Sequence, residues 1–271
     1  MTPQLDIAAA RHPLHGTTLT RRRVRWPFVL TTPLRLDAAP ADMLTIMLQS
    51  SSGAITAGDR LGWRVVAGPS AALHLTTQGA TAVHAMPNGT CAEDTLHLHA
   101  DAGSFVEILP EPLILFPAAR LHRRSTLVVD TDAVVLLSDS FLAHDPAGAG
   151  RSFGHLAWET EVRRPCGALL LRDRAEIDGG ALAGAHASLL LFTPPDRLPA
   201  SLAADLDAAL APIDGLYAGA SALPSGAGLG VRLAAATGGR PLRAGLLAAW
   251  TVIRIALTGM APGRRRGKHA A

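Results

Sequence analysis

The chain predicts a mainly β fold: a many-stranded body of β-solenoid or sandwich type, with two α-helices confined to the C-terminal quarter. Two patterns carry this expectation. From about residue 17 to 193, apolar and polar residues alternate with the period of a strand, and turn residues interrupt the alternation roughly every ten positions. After Pro194-Pro195 the spacing of leucines changes to every fourth residue, the spacing of one helix face.

Taken in order, Leu44, Ile46 and Leu48 share one strand face, as do Leu73 with Leu75 and Leu96 with Leu98. Val128-Val129 and Val134–Leu137 read as runs buried on both faces. The breaks at Ser50–Gly53, Gly68-Pro69, Pro87–Gly89, Asp101–Gly103, Asp130–Asp132, Asp145–Gly150 and Asp178–Gly180 are rich in residues that favour turns. Gly supplies positive φ, Pro presets φ, and Asp or Asn accepts local backbone hydrogen bonds. Spacing alone fits a sandwich, a barrel or a solenoid, and no exact sequence repeat chooses among them.

In the last quarter, Leu198, Leu202, Leu206 and Leu210 predict a helix between Asp196 and Pro212, with Pro199 tolerated in its first turn. Residues 214–230 read as a Gly/Ala/Ser-rich connection and Val231–Ala235 as a last strand. A second helix is expected from Pro241 to Gly259, bounded by the residue types that favour helix starts and stops. The expectation is one domain over residues 1–260, with a β body at 17–193 and a helical part at 196–259. The basic segment 261–271 is expected to be a disordered tail.

The last helix is apolar around most of its circumference. Leu242, Leu246, Ala249, Ile253 and Leu257 form a stripe, Leu247, Trp250, Val252 and Ile255 extend it, and Arg243, Thr251, Arg254 and Thr258 leave a narrow polar strip. Such a helix either packs across the β body or offers part of its surface to a partner, with Trp250, Ile253 and Leu257 as candidate contacts.

Composition excludes several function classes. The 271 residues are 48% hydrophobic, enough to fill a core. The net charge of +3 comes from Arg264, Arg265, Arg266 and Lys268; without them acidic groups slightly outnumber basic ones. A nucleic-acid binder needs a basic folded face and benefits from aromatic platforms, and only 4% of this chain is aromatic. Cys91 and Cys166 form no CxxC pair, and the N-terminal segment lacks an apolar leader, so a cytoplasmic protein is expected. The longest apolar stretch, Ala244–Leu257, is interrupted by Arg254 and falls short of the roughly 18–20 residues of a membrane span.

No catalytic signature is completed. His97 and His99 would share a strand face as in cupin metal sites, but the glutamate that pattern requires is replaced by Gly103 and Ser104. Gly226-Ala227-Gly228-Leu229-Gly230 lacks dinucleotide-loop spacing, and Gly148–Ser152 lacks the lysine of a phosphate loop. No GxSxG elbow or HExxH helix is present.

Ordered segments supply what motifs do not. Val24-Arg25-Trp26-Pro27-Phe28 is followed by Ser51–Asp59, a turn ending in Gly58-Asp59. Next come Leu75–Thr81, the Val106–Pro110 stretch and the Ala168–Arg174 strand. Together they resemble the urease accessory protein family UreD, also called UreH, from about Val24 to Thr258. Val83–Met86 and Gly150–Phe153 depart from the family pattern.

The resemblance implies a β-rich scaffold with helically wound strands and a couple of helices, without catalytic activity. It implies binding to apo-urease, with UreF and the GTPase UreG as further partners. It also implies nickel in transit rather than a tightly held cofactor. Asp59, Glu107, Glu111 and Asp173 lie in or beside matching segments and are the candidates for transient ligation. The competing reading is a cupin-like metalloenzyme built on His97 and His99.

Overall fold

The computed structural model describes residues 2–181, 184–236 and 238–263. The chain opens with the hairpin β1 (Leu5–His12) and β2 (Gly16–Val24), followed by the short β3 (Phe28–Leu30). It then winds in coils. The first consists of β4 (Leu44–Ser50), β5 (Ala54–Ile55) and β6 (Arg60–Ala67); the second, of β7 (Ala72–Thr77), β8 (Thr81–Val83) and β9 (Ala92–Ala100). A third contains β10 (Phe105–Ile108), β11 (Leu113–Leu115) and β12 (Arg120–Val129), and the last half-regular coil contains β13 (Val134–Ala143) and β14 (His155–Arg163). β15 (Leu169–Asp178) and β16 (Ala185–Phe192) follow, then α1 (Leu202–Leu210), β17 (Leu216–Ala222), β18 (Gly228–Ala235) and α2 (Gly239–Thr258).

Equivalent strands of successive coils pair in parallel, which makes the body β-solenoid-like. β6, β9, β12 and β14 stack in a seven-stranded sheet, capped by antiparallel β2 beyond β1 at one edge and by β15 at the other. β4, β7, β10 and β13 stack in the second sheet, which continues antiparallel through β16, β18 and β17. The short column β5, β8, β11 runs beside it and pairs with the far end of β13. Gly68, Asp101 and Asp130, read from the sequence as separate turns, occupy one corner of successive coils. Their amides bond one rung down, Asp101 to Ala67 at 2.9 Å and Asp130 to Ala100 at 2.9 Å. A stacked corner satisfies each turn's backbone with that of its neighbour.

Two cores result because the second sheet is covered on both faces. Leu73, Leu75, Val106, Ile108, Val135 and Leu137 point between the sheets. Val134 and Leu136 point outward together with Leu189 and Val231 of the same sheet, and Leu206 of α1 and Leu242, Ala249 and Ile253 of α2 cover this face. The continuous apolar run at Val134–Leu137 is therefore buried on both faces, as parallel-sheet strands are. α2 approaches the sheet closely at Gly245, where a Cβ would lie 2.6 Å from Leu216. It ends on Gly259, whose φ of 75° is the left-handed conformation that stops a helix.

Four boundaries differ from the sequence expectation. β1 precedes the expected start of the β body near residue 17, where β2 begins. β1 is alanine-rich and is held as a strand by parallel pairing to β6. α1 begins only at Leu202, because Pro199 keeps the preceding Leu198 extended, at φ −88° and ψ 107°. β17 occupies the middle of the segment read as a connection. Its Ala, Gly and Ser residues carry no alternation signal, and its strand form comes from pairing with β18. β18 itself starts at Gly228, ahead of Val231. The helix expected at Pro241–Gly259 forms as α2 over Gly239–Thr258, with Gly259 as its cap. Residues 264–271, most of the expected basic tail, lie outside the described residues.

α2 is long and apolar enough, by length and composition, to cross a membrane. Its Arg254 is nevertheless fully buried against the β body, which ties the helix to the sheet.

Candidate functional site

Three polar residues in register cross the outer face of the second sheet. Thr45 of β4 pairs with His74 of β7, and His74 with Glu107 of β10. All three are buried, because α2 lies over them. Glu107 receives Arg254 bidentately, Nε at 2.8 Å from Oε1 and Nη2 at 2.7 Å from Oε2. His74 Nδ1 donates to Oε2 at 2.6 Å, and the Trp250 indole N–H to Oε1 at 3.0 Å. The remaining guanidinium nitrogen donates to Asp37 at 3.0 Å and to the Ala39 carbonyl at 2.7 Å. The Trp250 ring also lies 5.6 Å from the guanidinium carbon. Burial alone would raise the Glu107 carboxyl, but hydrogen bonds from His74 and Arg254, with their charges, hold it down at about 2. Burial opposes the Arg254 charge, yet Glu107 and Asp37 raise its pKa. Every charge here is paired and hydrogen-bonded, which is the condition under which buried ions are tolerated. Of the narrow polar strip read from the sequence, only Arg254 faces the polar row on the sheet; Arg243 reaches out to Glu111, and Thr251 and Thr258 bond carbonyls of α2 itself.

A second cluster lies between the sheets. Asp94 of β9 and Arg123 of β12 are in register, with Nη1 3.4 Å from Asp94 Oδ2, and Arg123 Nε lies 2.7 Å from Asp139 Oδ1 of β13. The second contact is close but misaligned; among the described residues neither Arg123 Nε nor Asp139 Oδ1 has a hydrogen-bond partner. Burial raises the carboxyls of Asp94 and Asp139, and the Arg123 charge offsets this only in part. Two cavities adjoin the cluster. One, of about 530 Å³, is lined by Asp139, Trp158, Asp173 and Arg232; the other, of about 400 Å³, by Trp63, Asp94 and Glu111.

The sequence candidates fall in different places. Glu111 and Asp173 each line a cavity, and each is paired with an arginine, Glu111 with Arg243 at 2.9 Å and Asp173 with Arg232 at 2.7 Å. Glu107 is locked under α2. Asp59 closes a turn by accepting the Thr56 amide at 2.7 Å. His97 is exposed and His99 pairs with Asp101 at 2.8 Å. Among the described residues no group of three or more His, Cys, Asp or Glu is placed to hold a metal. On α2, Ile253 is core, Trp250 and Leu257 are half-buried, and Leu247 and Ile255 are exposed at 57% and 47%, so the uncovered face lies one step round from the expected stripe.

Asp94, Arg123 and Asp139 were missed from sequence, although parity contained the signal. Arg123 alternates with Leu121, Ser125, Leu127 and Val129 on the inward face of β12, and Asp94 with Ala92, Leu96 and Leu98 on that of β9. Asp139 is a charge inside the otherwise buried run of β13.

Comparison with known proteins agrees with the segment pattern. The family model described as UreD urease accessory protein matches residues 2–268. A protein named urease accessory protein UreD 2 from Bradyrhizobium sp. strain ORS 278 is 42% identical, over 93% of this chain and 89% of the relative. UreD 1 from Bradyrhizobium sp. strain BTAi1 is 41% identical over 98% and 99%, and UreD 1 from Pseudomonas syringae pv. tomato is 35% identical over 96% and 94%. An accessory protein, rather than an enzyme, is what these descriptions denote. A β-solenoid-like body with two C-terminal helices, end-to-end agreement with the family model and near-full-length relatives lead to one conclusion: the chain belongs to the UreD family of urease accessory proteins.

Proposed function

We propose that this chain is a urease maturation scaffold that binds apo-urease and, with UreF and UreG, mediates delivery of nickel into the urease active site. The observation that carries the nickel part is the pair of cavities between the sheets, each with two carboxylates on an otherwise mainly apolar wall, Asp139 and Asp173 on one and Asp94 and Glu111 on the other. A conduit needs ligands that hold a dication and release it. Carboxylate, carbonyl and water do so, whereas a closed thiolate cage retains its metal. Both cysteines here are free thiols, which suits that requirement and a cytoplasmic location.

The partner surface is the uncovered side of α2, where Leu247 and Ile255 stand exposed beside half-buried Trp250 and Leu257. An apolar strip on a helix otherwise fixed to the body is a surface for a protein. Co-expression with urease subunits is expected to yield a co-purifying complex, and nickel loading is expected to require the other accessory proteins. Unchanged urease activity at limiting nickel after deletion of the gene overturns the proposal.

A further inference from the structure

Both cavities end on the same charged side chain. Arg123 lines the larger with Asp139 and the smaller with Asp94, so one guanidinium stands between two carboxylates that belong to different compartments. It is 11% exposed and has open volume on either side. Its contacts differ from those of Arg254, since neither carboxylate receives the aligned, forked hydrogen bonds that fix a guanidinium in place. A loosely held cation between two carboxylates can be exchanged for another cation without leaving either carboxylate bare in the interior.

We propose that Arg123 is the gate of the passage: its guanidinium neutralises Asp94 and Asp139 when no cargo is present and is displaced by a divalent cation crossing between the cavities. The proposal rests on the nickel-conduit reading and adds to it the residue that sets its affinity. Without the arginine, Asp94 and Asp139 would lose the cation that lies between them, leaving only Arg232, itself paired with Asp173, near Asp139, and a dication would stay there. With it, every bound dication competes against an internal positive charge, so binding is weak and transit continues. The compact charge of a dication concentrates more field at a carboxylate than a delocalised guanidinium does, so arriving cargo displaces the gate, and the tethered guanidinium returns to the pair as the weakly held cargo moves on.

The test uses equilibrium dialysis of nickel(II) ions against the purified full-length chain, together with urease activation in the co-expressed system. R123M is expected to bind one nickel at least about tenfold more tightly than the wild type, a change that the triple variant D94N/R123M/D139N loses. R123M is also expected to co-purify with urease subunits normally while activating urease more slowly. A cooperatively folded R123M whose nickel affinity stays within about threefold of the wild type overturns the gate. If R123M does not fold, R123Q takes its place, with the same roughly tenfold tightening of nickel binding supporting the gate and an affinity within about threefold of the wild type overturning it; full activation by the triple variant, which buries no charge at the junction, overturns it as well. A gene deletion without effect on urease would instead refute the conduit reading, which the dialysis contrast does not depend on.

Discussion

Arg254 and Arg123 are both taken out of water by carboxylates, and they are held in opposite ways. Arg254 is fully buried and hydrogen-bonded to Glu107, Asp37 and a backbone carbonyl. Arg123 sits between two cavities with its close carboxylate contact misaligned. The pKa directions follow the same division: Glu107 is depressed, whereas Asp94 and Asp139 are raised. A satisfied buried pair fastens one element to another. An unsatisfied one is a place where the fold tolerates strain, and such places are candidates for function.

The largest effect is expected at the fastened arginine. R254M leaves Glu107 buried without its cationic partner and is expected to cost about 3–5 kcal/mol, read by denaturant unfolding, with α2 loosened first in hydrogen exchange. The double variant E107Q/R254M is expected to recover part of that loss. A cost no larger than that of an exposed substitution would break the comparison.

The pH dependence of stability sharpens it. Glu107 lies below its ordinary value of 4.5, so its contribution is fully present above that pH and is lost as pH falls toward about 2. Asp94 and Asp139 have the opposite sign. Their carboxyls lie above the ordinary 3.8, so the native state holds their protons more tightly and they cost stability as pH rises through the raised values. E107Q is expected to flatten the acid limb of the stability profile, and D139N to flatten the rise in cost toward neutral pH. Identical profiles for the two variants would contradict the division.

At neutral pH, D94N and D139N taken singly are expected to change stability by less than about 1 kcal/mol, because each removes a poorly compensated charge while leaving Arg123 the other carboxylate. Both are expected to slow urease activation. The smallest effect is expected at the outer face of β9: H97A/H99A should leave activation largely intact, and nickel should bind the wild type no more tightly than about micromolar in dialysis. A nanomolar site lost in that double variant would overturn the conduit and revive a metalloenzyme.

Much of the architecture was legible because it is local. The alternation of Leu73 with Leu75, the two-sided run at Val134–Leu137, the leucines of α1 and the Gly259 stop all specify strand or helix through side-chain period and backbone preference, and they formed as expected. β17 was illegible because Ala, Gly and Ser leave no periodic trace; pairing with β18 made it a strand. Among the cavity-lining residues, Glu111 and Asp173 were singled out as candidates through their segments, while Asp94, Arg123 and Asp139 needed the strands to be stacked before their inward parity meant anything.

By itself the sequence determined an all-β body, two C-terminal helices, the family and the turn positions. Each of these depends on neighbours within a few residues or on the order of segments along the chain. Only the tertiary structure decided that the turns at Gly68, Asp101 and Asp130 form one stacked corner, that the strands run parallel as coils, and that Arg254 faces Glu107 while Arg123 divides two cavities. The physical reason is that period-two alternation fixes which face a side chain takes but not which strand lies beside it. Pairing a charge across the interior depends on that second choice.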